Sequence, residues 1–269
     1  MYFVGIDIGS RGAKGAILES DNGSVKLATS FIGDTGPDSI GTANMVFDNM
    51  AKKLGIELKD VAYVIATGYG RVLVPFANGN VSEISCHAKG ANYYFPSVRT
   101  ILDMGGQDCK AINVDENGVV TKFIMNDKCA GGTGRFLEVI GDVLQIPLQE
   151  IGPTALKSTQ SLPFNTICAV FAKSEAMALA KKGTPKPDIL AGLHDAIATR
   201  CHNLLKRVSI ENDFTITGGI SKNTGMVSKL KEKIGLDPVL APDPQICGAL
   251  GAAVFAWERY KKKQAKETA

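Results

Sequence analysis

A strand-turn-strand pattern occurs twice in this chain and constrains its fold more than any other feature. The first copy, Tyr2 to Leu18, has an apolar strand, a glycine-rich turn and a second strand, and Asp21-Asn22-Gly23 then turns into a third strand at Val25 to Ala28. The second copy, Thr100 to Val114, has the same layout, and Asn117-Gly118 makes the matching turn. This repetition in register predicts an internal duplication in which each copy opens one lobe.

The two copies also correspond residue by residue. Asp7, Gly9 and Lys14 of the first copy match Asp103, Gly105 and Lys110 of the second. A third glycine pair, Gly218-Gly219, ends the apolar strand that begins at Phe214 and leads into a helical segment. Apolar residues at helical spacing predict further helices at Ile40 to Leu54, Ile189 to Val208 and Ala249 to Trp257. The chain is therefore predicted to be an α/β protein.

Size and composition favour two lobes and exclude several classes of protein. With 269 residues, 45% of them hydrophobic, the chain can bury two sheets. We expect a first lobe at residues 1–98, with a last helix at about 248–269 packing back on it, and a second lobe at residues 99–247. A net charge of +3 without basic blocks interleaved with aromatics gives no support for nucleic-acid binding. No run of about 18 apolar residues indicates a membrane span, and we expect a cytoplasmic protein.

The glycine turns have a composition suited to binding phosphate. A turn without Cβ atoms lets phosphate oxygens approach the backbone N–H groups closely. Asp7 and Asp103, one in each turn, are candidates for holding a hydrated Mg²⁺ and orienting an attacking water, with Gln107 and Asp108 next to the second turn. A single Asp-Gly hairpin is more often only a turn, but two in register with a third Gly-Gly favour a nucleotide site. The common ATP motifs GxxxxGK[ST] and strand-GxGxxG-helix do not occur.

Two of the six cysteines stand at the start of a helical segment. Cys129 precedes the apolar spacing that begins at Phe136, and Cys168 is followed at once by an alanine-rich run. A helix N-terminus lowers the pKa of a thiol and favours the negative charge of an iron–sulfur cluster. Because two ligands cannot complete a four-thiolate cluster, a homodimer would supply four at its two-fold axis. The alternative is that both cysteines are small buried hydrophobic residues.

The other four cysteines carry weaker signals. Cys86 adjoins His87, but neighbouring side chains diverge and no second pair has the spacing of zinc ligands. Cys109, Cys201 and Cys247 lie in the apolar patterns of strands or helices. We expect all four to be structural.

Three segments resemble the nucleotide-binding motifs of the acetate-kinase/sugar-kinase/Hsp70/actin superfamily. They are VGIDIGSRGAKGAIL at 4–18, ILDMGGQDCKAI at 101–112 and TITGGISKN at 215–223, which look like the first phosphate, second phosphate and adenosine motifs. The resemblance implies an α/β fold with two ribonuclease-H-like lobes around a nucleotide cleft. Arg11 departs from the pattern, because relatives of this type usually have a small hydroxyl residue there.

Four further segments are similar to the activator component of 2-hydroxyacyl-CoA dehydratases, within the BadF/BadG/BcrA/BcrD-type ATPases. They are NDKCAGGTGRFLE at 126–138, CAVFAKSEA at 168–176, ATGYGR at 66–71 and EISCHAKGA at 83–91. The resemblance implies an ATP hydrolase that donates single electrons to a dehydratase, with ferredoxin or flavodoxin as its own electron donor. It implies ATP or ADP, Mg²⁺ and one [4Fe–4S] cluster per homodimer as cofactors.

The same resemblances imply a complete set of site residues. The catalytic residues are Asp7, Asp103 and Gln107, and the cluster ligands are Cys129 and Cys168. The nucleotide is bound by Gly9, Ser10, Arg11, Gly12, Lys14, Gly105, Gly106, Gly132, Gly134, Glu138, Gly218, Gly219 and Asn223. Three alternatives stay open: an ATPase component serving benzoyl-CoA reductase or a double-cubane cluster protein, a small-molecule kinase of the same fold, and a regulatory ATP-binding module without redox chemistry.

Overall fold

The computed structural model describes residues 1–21, 23–126, 133–160, 162–164 and 169–267. The chain folds as two units, which we call unit 1 and unit 2. Unit 1 comprises Met1–Val98, Val114–Val120 and Ala241–Ala269, and unit 2 comprises Arg99–Asn113 and Thr121–Leu240. Across the described ranges, no helix is both long enough and apolar enough to cross a membrane.

The helices are numbered in chain order within the described residues. They are α1 (Ser39–Leu54), α2 (Glu83–Tyr94), α3 (Gly134–Leu144), α4 (Leu148–Ala155), α5 (Ala169–Lys181), α6 (Lys186–Lys206), α7 (Thr224–Ile234) and α8 (Cys247–Glu267).

Unit 1 contains a mixed five-stranded sheet. Its strands are β1 (Tyr2–Ile8), β2 (Gly12–Asp21), β3 (Ser24–Asp34), β4 (Val61–Thr67) and β5 (Gly79–Asn80), in the order β3-β2-β1-β4-β5. The first three strands form an antiparallel meander, and β4 then pairs parallel to β1. The predicted meander is confirmed.

Strand β1 is covered by helices on both faces. Val4 and Ile6 point into a core shared with α1, whereas Phe3 points into a second core shared with α8. Gly5 lies so close to α8 that a Cβ atom there would overlap the carbonyl oxygen of Ala249. Burial on both faces explains why this strand is a continuous apolar run and does not alternate with polar residues.

Unit 2 repeats the strand order of unit 1. Its strands are β6 (Thr100–Met104), β7 (Cys109–Val114), β8 (Val120–Asn126) and β9 (Phe214–Thr217), in the order β8-β7-β6-β9. Strands β6 and β7 are antiparallel, and β9 pairs parallel to β6, as β4 does with β1. The predicted α/β class with two similar halves is confirmed.

Helix α6 runs through the core of unit 2. Its residues Ile189, Leu193, Ile197 and Leu204 are buried at intervals of four, four and seven positions, which keeps them on one face of the helix, as the sequence predicts. They belong to one apolar cluster with strand residues such as Leu102. The helix is therefore held by packing along most of its length.

Several predicted boundaries differ from the observed ones for reasons of packing. The last helix extends over Cys247–Glu267, close to its predicted range of about 248–269, although the apolar spacing covers only Ala249 to Trp257; its first half is buried and its lysine-rich end is exposed. The strand predicted at Val25 to Ala28 extends over Ser24–Asp34, because it pairs with the whole of β2. Long-range pairing stabilises residues whose local pattern is weak.

Candidate functional site

The first glycine turn closes the β1–β2 hairpin of unit 1. Asp7, near the end of β1, pairs in register with Lys14 on β2, and its Oδ2 lies 3.1 Å from Lys14 Nζ. The Gly9 N–H donates to the Gly12 carbonyl across the turn at 3.2 Å, and Thr35 donates its hydroxyl to the Gly9 carbonyl at 2.8 Å. The base of the turn is therefore fixed, while its tip between the two glycines is exposed.

Two glycines from distant parts of unit 1 pack against Asp7. Gly68 follows β4 with φ of +82°, and a Cβ atom there would lie 2.5 Å from Asp7 Oδ1. At Gly248, in the first turn of α8, a Cβ atom would lie 3.2 Å from Asp7 Oδ2 and 2.9 Å from His87 Nε2. Asp7 is buried, with 4% of its surface exposed, in a cradle that side chains at either glycine would fill.

The second glycine turn closes the β6–β7 hairpin of unit 2 in the same way. Asp103 pairs in register with Lys110, and the Gly105 N–H donates to the Asp108 carbonyl at 3.0 Å. Lys110 Nζ lies 3.4 Å from Asp103 Oδ2 and 2.6 Å from Asp108 Oδ1, and all three side chains are buried. Two carboxylates around one ammonium give the group a net negative formal charge, which favours a divalent cation. Gln107 is exposed at the tip of this turn.

The start of α3 packs directly on the second turn. The Gly134 N–H donates to the Gly105 carbonyl at 3.0 Å, and the Arg135 N–H donates to the Gly106 carbonyl at 2.9 Å. A Cβ atom on Gly134 would lie 3.5 Å from both the Gly105 oxygen and the Gly106 Cα. Glu138, one turn along the helix, accepts a hydrogen bond from Arg135 Nη1 at 2.9 Å. Four residues predicted for the nucleotide site are thus adjacent.

The third glycine element of the sequence, also in unit 2, reaches Asp103. Thr217, the last residue of β9, donates its hydroxyl to Asp103 Oδ1 at 3.0 Å. Gly218 follows with φ of +86°, and a Cβ atom there would overlap the Met104 carbonyl oxygen. A short 3₁₀ helix, Gly219–Lys222, then leads to α7. Only glycine allows β9 to end so close to β6.

The side chain of Asn223 caps α7. Its Oδ1 accepts a hydrogen bond from the Met226 N–H at 2.9 Å and lies 3.1 Å from His194 Nε2. Burial lowers the pKa of His194, which favours the neutral imidazole at pH 7. The Asn223 Nδ2 is buried and donates to none of the residues described. The amide therefore fixes the start of the helix with its oxygen.

The close approach at Gly218 makes a testable prediction about stability. We expect Gly218→Ala to lower the free energy of unfolding by about 3 kcal/mol or more, because it adds a clash with Met104 to the strain of a positive φ. The control is Gly183→Ala, since Gly183 has φ of +78° and open space around it. It should cost only about 1–2 kcal/mol. Urea unfolding of both variants makes the comparison, and equal losses would contradict the close approach.

The four cysteines that the structure describes are all buried, as expected. Burial raises the pKa of Cys86 to about 12. Cys109 Sγ lies 3.8 Å from Cys201 Sγ, and this contact together with burial raises the pKa of Cys109 well above its ordinary value. Cys247 is buried at the start of α8. Because a metal ligand must be a thiolate, the raised pKa makes Cys86 and Cys109 poorly suited to binding a cluster.

Three predicted site residues lie outside the described residues. They are Gly132 and the two predicted cluster ligands, Cys129 and Cys168. Among the side chains that are described, no group of three or more His, Cys, Asp or Glu is arranged to hold a metal ion.

Sequence reasoning assigned no role to three residues that surround the aspartates. Gly68 and Gly248 pack on Asp7, and Thr217 donates to Asp103. The segment ATGYGR, which contains Gly68, was notable only for its similarity to known activators. No local sequence pattern marks Gly248 or Thr217. Each is important because of a residue distant in sequence that it contacts in the fold.

Comparison with known proteins extends these observations to the whole chain. The family model described as "BadF/BadG/BcrA/BcrD ATPase family" matches residues 4–256. The chain is 40% identical to the activator of lactoyl-CoA dehydratase from Anaerotignum propionicum, covering 98% of this chain and 100% of that protein. It is also 40% identical to the (R)-2-hydroxyglutaryl-CoA dehydratase activating ATPase of Acidaminococcus fermentans, covering 97% of this chain and 99% of that one.

A solved structure agrees with the fold in detail. The activator of the 2-hydroxyisocaproyl-CoA dehydratase from Clostridium difficile, with bound ADPNP, superposes with a TM-score of 0.92 at 36% identity. The match covers 99% of this chain and 98% of that one. With a family model that spans nearly the whole sequence and full-length relatives at this identity, the chain belongs to the BadF/BadG/BcrA/BcrD ATPase family.

Proposed function

We propose that this protein is an ATP-dependent one-electron donor that activates a 2-hydroxyacyl-CoA dehydratase in the cytoplasm. One observation carries the proposal: the chain is similar over its full length to proteins named as activators of such dehydratases. The electron would pass through a [4Fe–4S] cluster shared by a homodimer, and its transfer would be coupled to ATP hydrolysis.

Support for the ATPase activity comes from the two matched glycine turns. Each has a buried aspartate, Asp7 or Asp103, paired across the hairpin with a lysine. We infer that these carboxylates hold hydrated Mg²⁺ and that Gln107, exposed beside Asp103, orients the attacking water. The start of α3 at Gly134 lies against Gly105 and Gly106, and a glycine-rich backbone of this kind lets phosphate oxygens approach closely. These residues fit a nucleotide.

Support for a shared cluster comes from the chemistry of the cysteines. The four described thiols are buried, and the pKa of both Cys86 and Cys109 is raised, which favours Cys129 and Cys168 as the ligands. Two ligands from each chain make the four that the cluster requires. When bound, the cluster supplies a one-electron redox centre.

Helix α5, which begins directly after Cys168, supports the homodimer. Val170 and Phe171 in its first turn are 68% and 64% exposed. Adjacent large apolar side chains at such exposure favour contact with another protein surface. A second copy bringing its own Cys168 to the same cluster would cover them.

The electron balance of the proposed cycle is simple. A reduced ferredoxin or flavodoxin gives up one electron and the dehydratase accepts one, while ATP and water become ADP and phosphate. The binding of ATP to the chain stabilises one conformation of the protein over another. Chemistry on the acyl-CoA belongs to the dehydratase.

The proposal predicts electron transfer that depends on ATP hydrolysis. Protein purified without oxygen should be brown and, with reductant and ATP, should convert an inactive 2-hydroxyacyl-CoA dehydratase into one that forms enoyl-CoA. ADPNP should not sustain this activation, because it is not hydrolysed. The same assay should release free phosphate. A colourless, iron-free protein that transfers phosphate to a small-molecule hydroxyl would instead indicate a kinase.

A further inference from the structure

Helices α2 and α8 of unit 1 cross with their backbones in contact. A Cβ atom on Gly251 of α8 would overlap the carbonyl oxygen of Cys86 on α2, and one on Gly90 of α2 would overlap the carbonyl oxygen of Cys247 on α8. Only glycine allows so close an approach at both positions, because any side chain would push the helices apart. His87, which lies between Cys86 and Gly90 in α2, is therefore held against the first turn of α8.

This crossing places the His87 imidazole beside Asp7. A Cβ atom on Gly248 would have His87 Nε2 at 2.9 Å and Asp7 Oδ2 at 3.2 Å as its nearest neighbours. Both residues are buried, with 7% of His87 and 4% of Asp7 exposed. The ring nitrogen and the carboxylate oxygen thus border one space, which stays open because residue 248 has no side chain.

The two oxygens of the Asp7 carboxylate have different surroundings. Oδ2 borders the space at Gly248 and lies 3.1 Å from Lys14 Nζ. Oδ1 lies toward the glycine turns, because Cβ atoms on Gly9 and Gly68 would be 3.9 Å and 2.5 Å from it. A donor on the Oδ2 side therefore restrains the carboxylate and leaves Oδ1 on the side of the first phosphate turn.

The start of α2 is also tied to the loop on the other side of Asp7. Arg71 Nη1 donates to the Gly68 carbonyl at 2.9 Å and lies 3.6 Å from Glu83 Oε2. Glu83 is the first residue of α2, and His87 follows one turn later on the same face of the helix. Because Gly68 packs on Asp7 Oδ1, this partly buried ion pair links the loop beside Oδ1 to the helix that carries His87.

From this arrangement we propose that His87 is a positioning residue for Asp7, the carboxylate to which we assign hydrated Mg²⁺ in unit 1. An imidazole whose Nε2 carries the proton is a hydrogen-bond donor, and on the Oδ2 side it restrains the carboxylate directly or through one water. Partners that orient the groups around a metal in this way typically contribute 10–100-fold to metal affinity or activity. The proposal rests on the proposed function only through the ATPase site, and it does not involve the cluster.

The test measures Mg²⁺-dependent binding of ADPNP to the intact protein, which requires no turnover. In His87→Ala we expect the Mg²⁺ concentration that half-saturates ADPNP binding to rise roughly tenfold, while the affinity for ADPNP without Mg²⁺ stays at the parent value. Gly248→Ala keeps the imidazole but inserts a methyl group between it and Asp7, and should raise the Mg²⁺ requirement in the same way. His87→Gln keeps a side-chain N–H donor and should recover most of the parent behaviour. The control is His202→Ala, because His202 lies on α6 in unit 2.

A double-mutant cycle with Asp7→Asn separates positioning from a merely structural role. Asp7→Asn alone should raise the Mg²⁺ requirement, and adding His87→Ala should raise it little further, because the carboxylate to be positioned is gone. Equal effects of His87→Ala in the parent and in the Asp7→Asn protein would overturn the proposal, as would the parent Mg²⁺ requirement in both His87→Ala and Gly248→Ala. The parent requirement in Asp7→Asn alone would instead overturn the role of Asp7 in the proposed function, and this proposal with it.

Discussion

Replacing Asp103 by asparagine should reduce kcat for ATP hydrolysis by roughly 10²–10³-fold and leave the protein folded. The substitution removes a charge that would hold Mg²⁺ and orient water, and losses of this size are typical when a fixed electrostatic contact to the reacting groups is removed. The steady-state rate of phosphate release, measured at saturating Mg-ATP, checks the prediction.

The structure explains why Asp103→Asn should fold. The asparagine oxygen can still accept the Thr217 hydroxyl, which lies 3.0 Å from Asp103 Oδ1. The new amide would face Lys110, which keeps its partner Asp108 at 2.6 Å. We therefore expect a loss of about 1–3 kcal/mol in stability, visible in urea unfolding but far from complete unfolding.

A matched carboxylate outside the turns controls for the loss of charge. Asp195 pairs with Lys233 at 3.0 Å on the surface of unit 2, so Asp195→Asn should hydrolyse ATP at close to the parent rate. If Asp103→Asn also hydrolyses ATP at the parent rate, the second turn is not the phosphate and metal site.

Cys129→Ser and Cys168→Ser should each lose the iron–sulfur cluster, whereas Cys86→Ser and Cys201→Ser should keep it. A cluster with four thiolates tolerates the loss of a ligand poorly, and in a homodimer each substitution removes two. Cys86 and Cys201 are buried inside their units and are not available to a second chain. The iron content per chain, measured without oxygen on all four variants, shows which pair of cysteines binds the cluster. Equal iron in all four variants would contradict the two-ligand model.

The same ligand count predicts the assembly. The parent should contain one cluster, hence four irons, for every two chains. Removing iron with a chelator should weaken the dimer, because a metal bound by both subunits stabilises the assembled state by mass action. Sedimentation of the holo and the iron-free protein measures this. A stable monomer with about four irons per chain would mean that one subunit holds the whole cluster.

The two hairpins could be predicted because their signals are local. Apolar runs that end in Asp-x-Gly, followed by a second strand, identify β1–β2 and β6–β7, and the shared spacing places Asp7 opposite Lys14 and Asp103 opposite Lys110. In an antiparallel hairpin the turn fixes the register, so a few residues of sequence specify the pairing. The cysteine motifs were equally visible, because Cys168 directly precedes a helical pattern and Cys129 precedes one by a short glycine-rich stretch.

The parallel strands and several helices could not be predicted in this way. No local pattern distinguishes β4 as the neighbour of β1, and α2 and α4 depend on packing for much of their stability. A parallel partner is reached only through a long connection, so neither its identity nor its register is written in the adjacent sequence. Contacts that arise through such pairing, such as that between Thr217 and Asp103, cannot be predicted from the local sequence.

The sequence by itself therefore determined the duplicated α/β class, the two aspartates and the family, because each depends on residue types at short, repeated spacings. Only the tertiary structure showed that Gly68 and Gly248 enclose Asp7, and that α2 and α8 cross closely enough to place His87 beside the same carboxylate. These relations join residues far apart in the chain. Their physical basis is the close packing of a folded core, in which a missing Cβ or a single buried carboxylate matters only because of what lies next to it.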